Sequence, residues 1–252
     1  MARKGSSVRS GPELLEEELL ESLTHAQRLG FVGPGSLTDH LAHSRAFAAL
    51  VAELLEGRAE LAPMARVVDL GSGGGVPGLM LAARLAHLPP APGRGPVSIS
   101  RGIVVPEDSV RELWLVEASE SRAAFLVDAL SRLGLSHGAT VVAARAESLA
   151  REETFRSSFD IVTARAFGRP AVVAECAAPL LRVGGWLVVS EPPLEQGGPS
   201  ERWDEAVLGQ LGLGAPQQRE VGSYQFALLR QEQPCPPGYP RRVGVPAKRP
   251  LF

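Results

Sequence analysis

The sequence predicts an α/β protein: a Rossmann-like, mostly parallel seven-stranded sheet flanked by helices, with an N-terminal helical extension. Three observations carry this expectation. From Arg66 onward, apolar strand-like runs alternate with amphipathic stretches, the pattern of parallel strands joined by crossover helices. The first run, Val67-Val68-Asp69-Leu70, leads straight into a glycine cluster that opens a helix, Gly71-Ser72-Gly73-Gly74-Gly75-Val76-Pro77-Gly78. Near the end, residues 217–221 and 224–229 read as two strands joined by Gly222-Ser223, an antiparallel finish.

In chain order, residues 1–11 form a polar leader expected to be flexible. Residues 12–60 read as a helical extension. Its first helix, 12–29, has a proline in the first turn, Leu15, Leu19 and Leu23 at helical spacing, and Gly30 as a stop. The turn Gly33-Pro34-Gly35-Ser36 precedes a second helix over 38–56, closed by Gly57. Residues 61–232 carry the sheet, with parallel strands expected at 66–70, 113–117, 140–144, 159–163 and 185–190. Helices fall between them at 77–87, 119–133, 147–151 and 169–181. A proline- and glycine-rich insertion, 88–110, is longer than ordinary connections and is expected at the surface, partly disordered. Residues 233–252 form a proline-punctuated tail with Arg241, Arg242, Lys248 and Arg249 and no acid after Glu232.

Bulk properties narrow the function classes. A chain of 252 residues can bury a full core, and a net charge of -2 means that any nucleic-acid surface must be local. No apolar run reaches the roughly 18 residues of a membrane span. The first residues are basic, but acidic helical sequence follows instead of an apolar signal region, so the expected location is cytoplasmic. Cys176 and Cys235 lie far apart without a CxxC, which points to neither a disulfide framework nor a metal site. His40 and His43 share a helix face, but no third ligand accompanies them.

The chemistry gathers at strand ends. Glycines after the first strand let a ligand approach the backbone where any Cβ would clash. The stretch from Gly73 to Gly78 also fits the dinucleotide fingerprint G-x-G-x-x-G, a weak signal on its own. Asp69 argues for a different ligand. A carboxylate beside a phosphate seat repels a pyrophosphate, whereas it suits the ammonium and sulfonium of S-adenosylmethionine. Glu117 ends the second strand, where an acid can hold both ribose hydroxyls of a nucleoside; the alternative is an exposed strand-end acid. After the third strand, Ala146 and Glu147 can sit against an adenine, or Glu147 can serve as a first-turn acid favouring the helix dipole. Arg165, in Thr163-Ala164-Arg165-Ala166-Phe167 after the fourth strand, is either a site residue or an arginine bonding nearby carbonyls.

These motifs together resemble the RsmG (GidB) family of methyltransferases that act on a guanine N7 of small-subunit (16S) ribosomal RNA. The resemblance rests on residues 69–78, on Glu117-Ala118-Ser119 with Arg122 and Phe125-Leu126, on Arg145-Ala146-Glu147 and on Arg165-Ala166-Phe167. The tail, residues 239–248, and His40-Leu41 with Ser44 add to it. It implies a class I methyltransferase fold, S-adenosylmethionine as cofactor, and ribosomal RNA or a ribosomal subunit as partner. By the resemblance, contacts to the cofactor would come from Gly71, Val76, Ala146, Glu147 and Arg165, with Glu117, Ala118 and Ser119 at its ribose; the reading of the glycine loop adds Asp69 and Gly73. Arg165 is the candidate catalytic residue, and no metal is implied. The chain departs from the family at Ser190-Glu191, where a lysine and glycine are common, and at His43, where an acid is usual. Other readings are a methyltransferase for a small molecule, a non-catalytic RNA-binding or assembly protein, and a nicotinamide-dependent oxidoreductase.

Overall fold

The computed structural model of the protein describes residues 11–56, 65–86, 112–193 and 202–252. Residues 1–10 and the expected insertion at 88–110 lie outside these. Two helices come first, α1 (Gly11–Arg28) and α2 (Leu37–Glu56). The alternation then runs β1 (Arg66–Leu70), α3 (Gly78–Ala86), β2 (Glu112–Glu117), α4 (Glu120–Arg132), β3 (Ala139–Ala143), α5 (Ala146–Leu149), β4 (Phe159–Ala164), α6 (Pro170–Ala177) and β5 (Leu181–Glu191). The chain finishes with α7 (Glu205–Gln210), β6 (Gln217–Val221), β7 (Tyr224–Arg230) and α8 (Val245–Lys248). The short helices α7 and α8 are the elements that sequence periodicity did not reveal. Among the described residues, no helix is long and apolar enough to cross a membrane.

The seven strands form one sheet in the order β3-β2-β1-β4-β5-β7-β6. Neighbours among β1 to β5 are parallel, while β7 runs antiparallel to both β5 and β6. The order reverses between β1 and β4, which opens a crevice at the carboxyl ends of those two strands. Asp69 on β1 is level with Leu115 on β2 and Thr163 on β4.

Successive strand residues point to opposite faces, and both faces are covered, so the central strands are apolar almost throughout. On one face, Val67, Leu115 and Ile161 join Leu79, Leu126 and Phe226 in a core that also takes Leu23, Phe47 and Leu50 from α1 and α2. The N-terminal helices therefore share the sheet's own core. On the other face, Val68, Val116 and Val162 pack with Phe159, Leu149 and Leu208, and buried Cys176 lies among them.

The tail is docked onto this second face. Arg156 donates to the carbonyls of Cys235 (3.0 Å), Pro236 (2.8 Å) and Tyr239 (2.7 Å), and Arg151 to that of Pro240 (2.6 Å). Glu175 on α6 is 0% exposed and accepts from the Arg241 backbone N–H, Nε and Nη2 at 2.8, 2.8 and 2.6 Å. Of the four tail cations, Arg241 is therefore already paired within the chain. A carboxylate buried in α6 demands a charged, hydrogen-bonded mate, and Arg241 is that mate. Arg242, Lys248 and Arg249 remain exposed.

Arg241→Ala strands the Glu175 charge and is expected to lower stability by about 3 kcal/mol or more. Arg242→Ala should change it by less than about 0.5 kcal/mol. Urea midpoints for the two variants decide this; equal midpoints would contradict the clamp.

Candidate functional site

The glycine cluster makes a tight turn between β1 and α3, with Gly71 at φ 68° and Gly73 at φ 54°, a left-handed conformation that favours glycine. Gly71 and Ser72 donate their N–H groups to the Val116 carbonyl at 2.8 and 3.1 Å, which anchors the turn to β2. Glu117, the last residue of β2, closes the arrangement. Its Oε2 accepts the Gly73 N–H at 2.9 Å and its Oε1 the Ser119 N–H at 2.8 Å. One carboxylate thus joins the glycine turn to the start of α4. Gly74 lies against the loop between α1 and α2: a Cβ there would come within 2.5 Å of Val32 and 3.0 Å of the Phe31 carbonyl.

Asp69 sits beneath this turn, 1% exposed. Its Oδ1 accepts the Thr163 hydroxyl at 2.7 Å, while Oδ2 has no hydrogen-bond partner. Burial pushes its carboxyl up to about 6, against the opposing pull of the Thr163 hydrogen bond, the nearby Ser72 hydroxyl and the Arg165 charge. Neither Asp69 nor Glu117 makes an ion pair among the described residues. Two buried acids without cationic mates, next to a glycine cradle, fit a ligand carrying positive charge and oppose a pyrophosphate. Of the candidate groups, S-adenosylmethionine meets that condition and a nicotinamide dinucleotide does not.

Arg165 follows β4 and reaches α2. Its Nε donates to His43 Nδ1 at 3.2 Å, and its Nη2 pairs with His40 Nδ1 at 2.8 Å. His43 is stacked on Tyr224, centroids 4.5 Å apart, and its pKa falls to about 4 through burial and then the neighbouring Arg165 and His40. An arginine can only donate, so the Nδ1 atoms of both rings accept from the guanidinium. The pairing of His40 and His43 on one helix face is explained by Arg165, which sequence spacing alone did not reveal. The next residue, Ala166, has φ 52°. A left-handed alanine costs roughly 1–2 kcal/mol. The turn sends Arg165 toward α2 and lays the Phe167 ring on Gly71, where a Cβ would meet it at 2.7 Å.

The remaining candidates are placed less uniformly. Val76 is buried in the glycine turn, Ala118 is exposed and Ser119 half-buried beside Glu117. Ala146 is buried at the start of α5. The Glu147 carboxylate is taken up by Arg145 Nη2 and by the Gly244 N–H of the tail, both at 3.0 Å. Burial raises its pKa, but these hydrogen bonds outweigh it and the net shift is downward. Neither reading of Glu147 from the sequence foresaw this tail anchor.

Sequence reading did not single out the cavity of about 300 Å³ at the ends of β4 and β5. Phe167, Pro170, Val189, Glu191 and Arg202 are among the residues lining it. Glu191 pairs there with Arg202, and its Oε1 accepts from Trp203 Nε1 at 3.0 Å.

Residues 99–191 match the family GidB, rRNA small subunit methyltransferase G. Ribosomal RNA small subunit methyltransferase G of Moorella thermoacetica is 32% identical over 199 residues, which cover 76% of this chain and 72% of the relative. The protein of the same name from Rubrobacter xylanophilus is 38% identical over 198 residues, 74% of this chain and 65% of its own. Among solved structures, a putative O-methyltransferase from Klebsiella pneumoniae superposes with a TM-score of 0.54 at 14% identity, over 90% of this chain and 93% of that one. A cofactor-bound protein from MTB gives 0.55 at 19% identity, over 90% and 94%. These structural likenesses establish the class I methyltransferase fold.

Asp69 supplies a pH test. Its carboxyl ionises near 3.8 in the unfolded chain and at about 6 in the folded one. Between those values the folded protein holds a proton that the unfolded chain has lost, so stability from this group falls as pH rises toward 6 and the cost persists above it. Asp69→Asn is expected to stabilise the protein at pH 7 by up to about 3 kcal/mol. The gain should vanish as pH falls below about 4. Thermal melts of both proteins across pH check this; a destabilised Asn variant at pH 7 would contradict it.

Proposed function

The chain belongs to the ribosomal RNA small subunit methyltransferase G family, and on that premise we propose that it methylates N7 of a guanine in small-subunit (16S) ribosomal RNA, using S-adenosylmethionine. The observation that carries this reading is the pair of buried acids, Asp69 and Glu117, set without ion-pair partners against a glycine turn at the sheet's switch point. S-adenosylmethionine supplies a methyl group on a sulfonium, and a neutral nitrogen lone pair can attack that methyl carbon in line with the neutral thioether as leaving group.

The residues divide the remaining work. Glu117, held by two backbone N–H groups, keeps acceptor capacity for ribose hydroxyls. Gly71, Gly73 and Val76 form the cradle, with Ala118, Ser119, Ala146 and Glu147 along its rim. Asp69 provides negative potential beneath the turn. Arg165, fixed by His40 and His43, orients the reacting partners from the β4 side. Guanine N7 carries a free lone pair at neutral pH. As its bond to the methyl carbon forms and the carbon–sulfur bond breaks, positive charge passes from sulfur to the purine and no proton moves. Proximity and alignment then suffice, and no general base is required. Exposed Arg242, Lys248 and Arg249 give the tail a phosphate-contacting edge.

The acid at Glu191 does not favour a small-molecule substrate, because Arg202 and Trp203 already take up its carboxylate.

The test is transfer of labelled methyl from S-adenosylmethionine to small ribosomal subunits and to their free RNA, followed by digestion to nucleosides. Label in 7-methylguanosine is expected. Label in another nucleoside, or none in RNA, would overturn the assignment.

A further inference from the structure

Guanine N7 lies on the major-groove edge of a base pair, and the major groove of an RNA helix is deep and narrow. A protein crevice cannot reach that atom inside a duplex. The target must be single-stranded or swung out, and a pocket must receive it. The cavity at the ends of β4 and β5 is placed for this. It lies across the switch point from Glu117, and the Phe167 ring, packed on Gly71, borders both the glycine turn and the cavity.

We propose that this cavity receives the extruded target nucleotide, its purine on the Phe167 ring and its phosphate on the Arg202 guanidinium, which Glu191 holds in place. The proposal rests on the function above and names the substrate contacts of that site. Aromatic rings and guanidinium groups are the pair by which proteins hold single-stranded nucleotides. Arg202 keeps 39% of its side chain exposed, whereas the Glu191 side chain is 4% exposed. One Arg202 donor goes to Glu191, which leaves its other N–H groups for phosphate oxygens. Because Trp203 also donates to Glu191, the acid is satisfied from two sides and presents little charge to RNA. Glu191 is a positioning residue: it fixes the guanidinium at the rim without touching the base.

The full chain, saturated with S-adenosylhomocysteine, is titrated with 5′-guanosine monophosphate and with guanosine, and the Phe167 ring protons are followed by NMR. The monophosphate should shift those protons and bind at least tenfold tighter than guanosine. Arg202→Gln should erase that advantage, Arg202→Lys should restore part of it, and Phe167→Leu should weaken both ligands at least fivefold. Unshifted Phe167 protons, or wild-type affinity in Arg202→Gln, would overturn the proposal. For Glu191→Gln, the KM for small-subunit RNA should rise at least fivefold with kcat and S-adenosylhomocysteine affinity unchanged; a joint loss of cofactor affinity would overturn the positioning role. If the monophosphate binds at Phe167 but no methyl reaches ribosomal RNA, the functional reading fails and the pocket stands. If methyl reaches ribosomal RNA but no nucleotide binds at Phe167, the pocket fails and the functional reading stands.

Discussion

The Glu117 carboxylate is the joint on which the site depends. Its two oxygens take the Gly73 and Ser119 N–H groups, so the end of β2, the glycine turn after β1 and the start of α4 share one anchor. A charged acceptor on backbone N–H groups makes bonds roughly twice as strong as neutral ones. The anchor needs the left-handed conformation of Gly73, and the absence of a Cβ at Gly74 lets Phe31 and Val32 pack onto the same turn. The cradle is therefore braced from β2 on one side and from the N-terminal helices on the other.

The same helices reach the second half of the crevice. His40 and His43 hold Arg165, and Tyr224 on β7 stacks on His43 while donating to the Asp39 carbonyl. Across the sheet, the tail performs an equivalent service: Glu175 takes Arg241 and Glu147 takes the Gly244 N–H. The N-terminal helices thus hold Arg165 after β4, and the tail packs on α5 and α6. The acids Glu147, Glu175 and Glu191, whose side chains are buried, are each paired with an arginine, whereas Asp69 and Glu117 make no ion pair among the described residues.

The sheet was legible because its signals are local. Apolar runs bounded by turns gave the five parallel strands and the antiparallel pair within a few residues. The strand-end positions of Asp69, Glu117 and Arg165 followed from that alternation. The partners of buried charges were not legible. Glu175 and Arg241, like Glu147 and Gly244, are far apart in sequence and meet only when the tail docks. Arg165 was recognised as unusual, yet its mates proved to be two imidazole rings of α2, which no charge pattern announces. At Glu191 the sequence showed only a departure from the family's lysine and glycine, because its mates Arg202 and Trp203 lie 11 and 12 residues further on. The helix at Val245–Lys248 is too short to show periodicity.

The central claim is that the Glu117-braced glycine turn is the cofactor seat. Backbone amide shifts measured by NMR during titration with S-adenosylhomocysteine test it most directly. The account predicts that the largest changes fall on Gly71, Gly73 and Ser119, with Arg202 and Trp203 little affected. Unmoved amides at those three residues, with saturable shifts elsewhere, would contradict it.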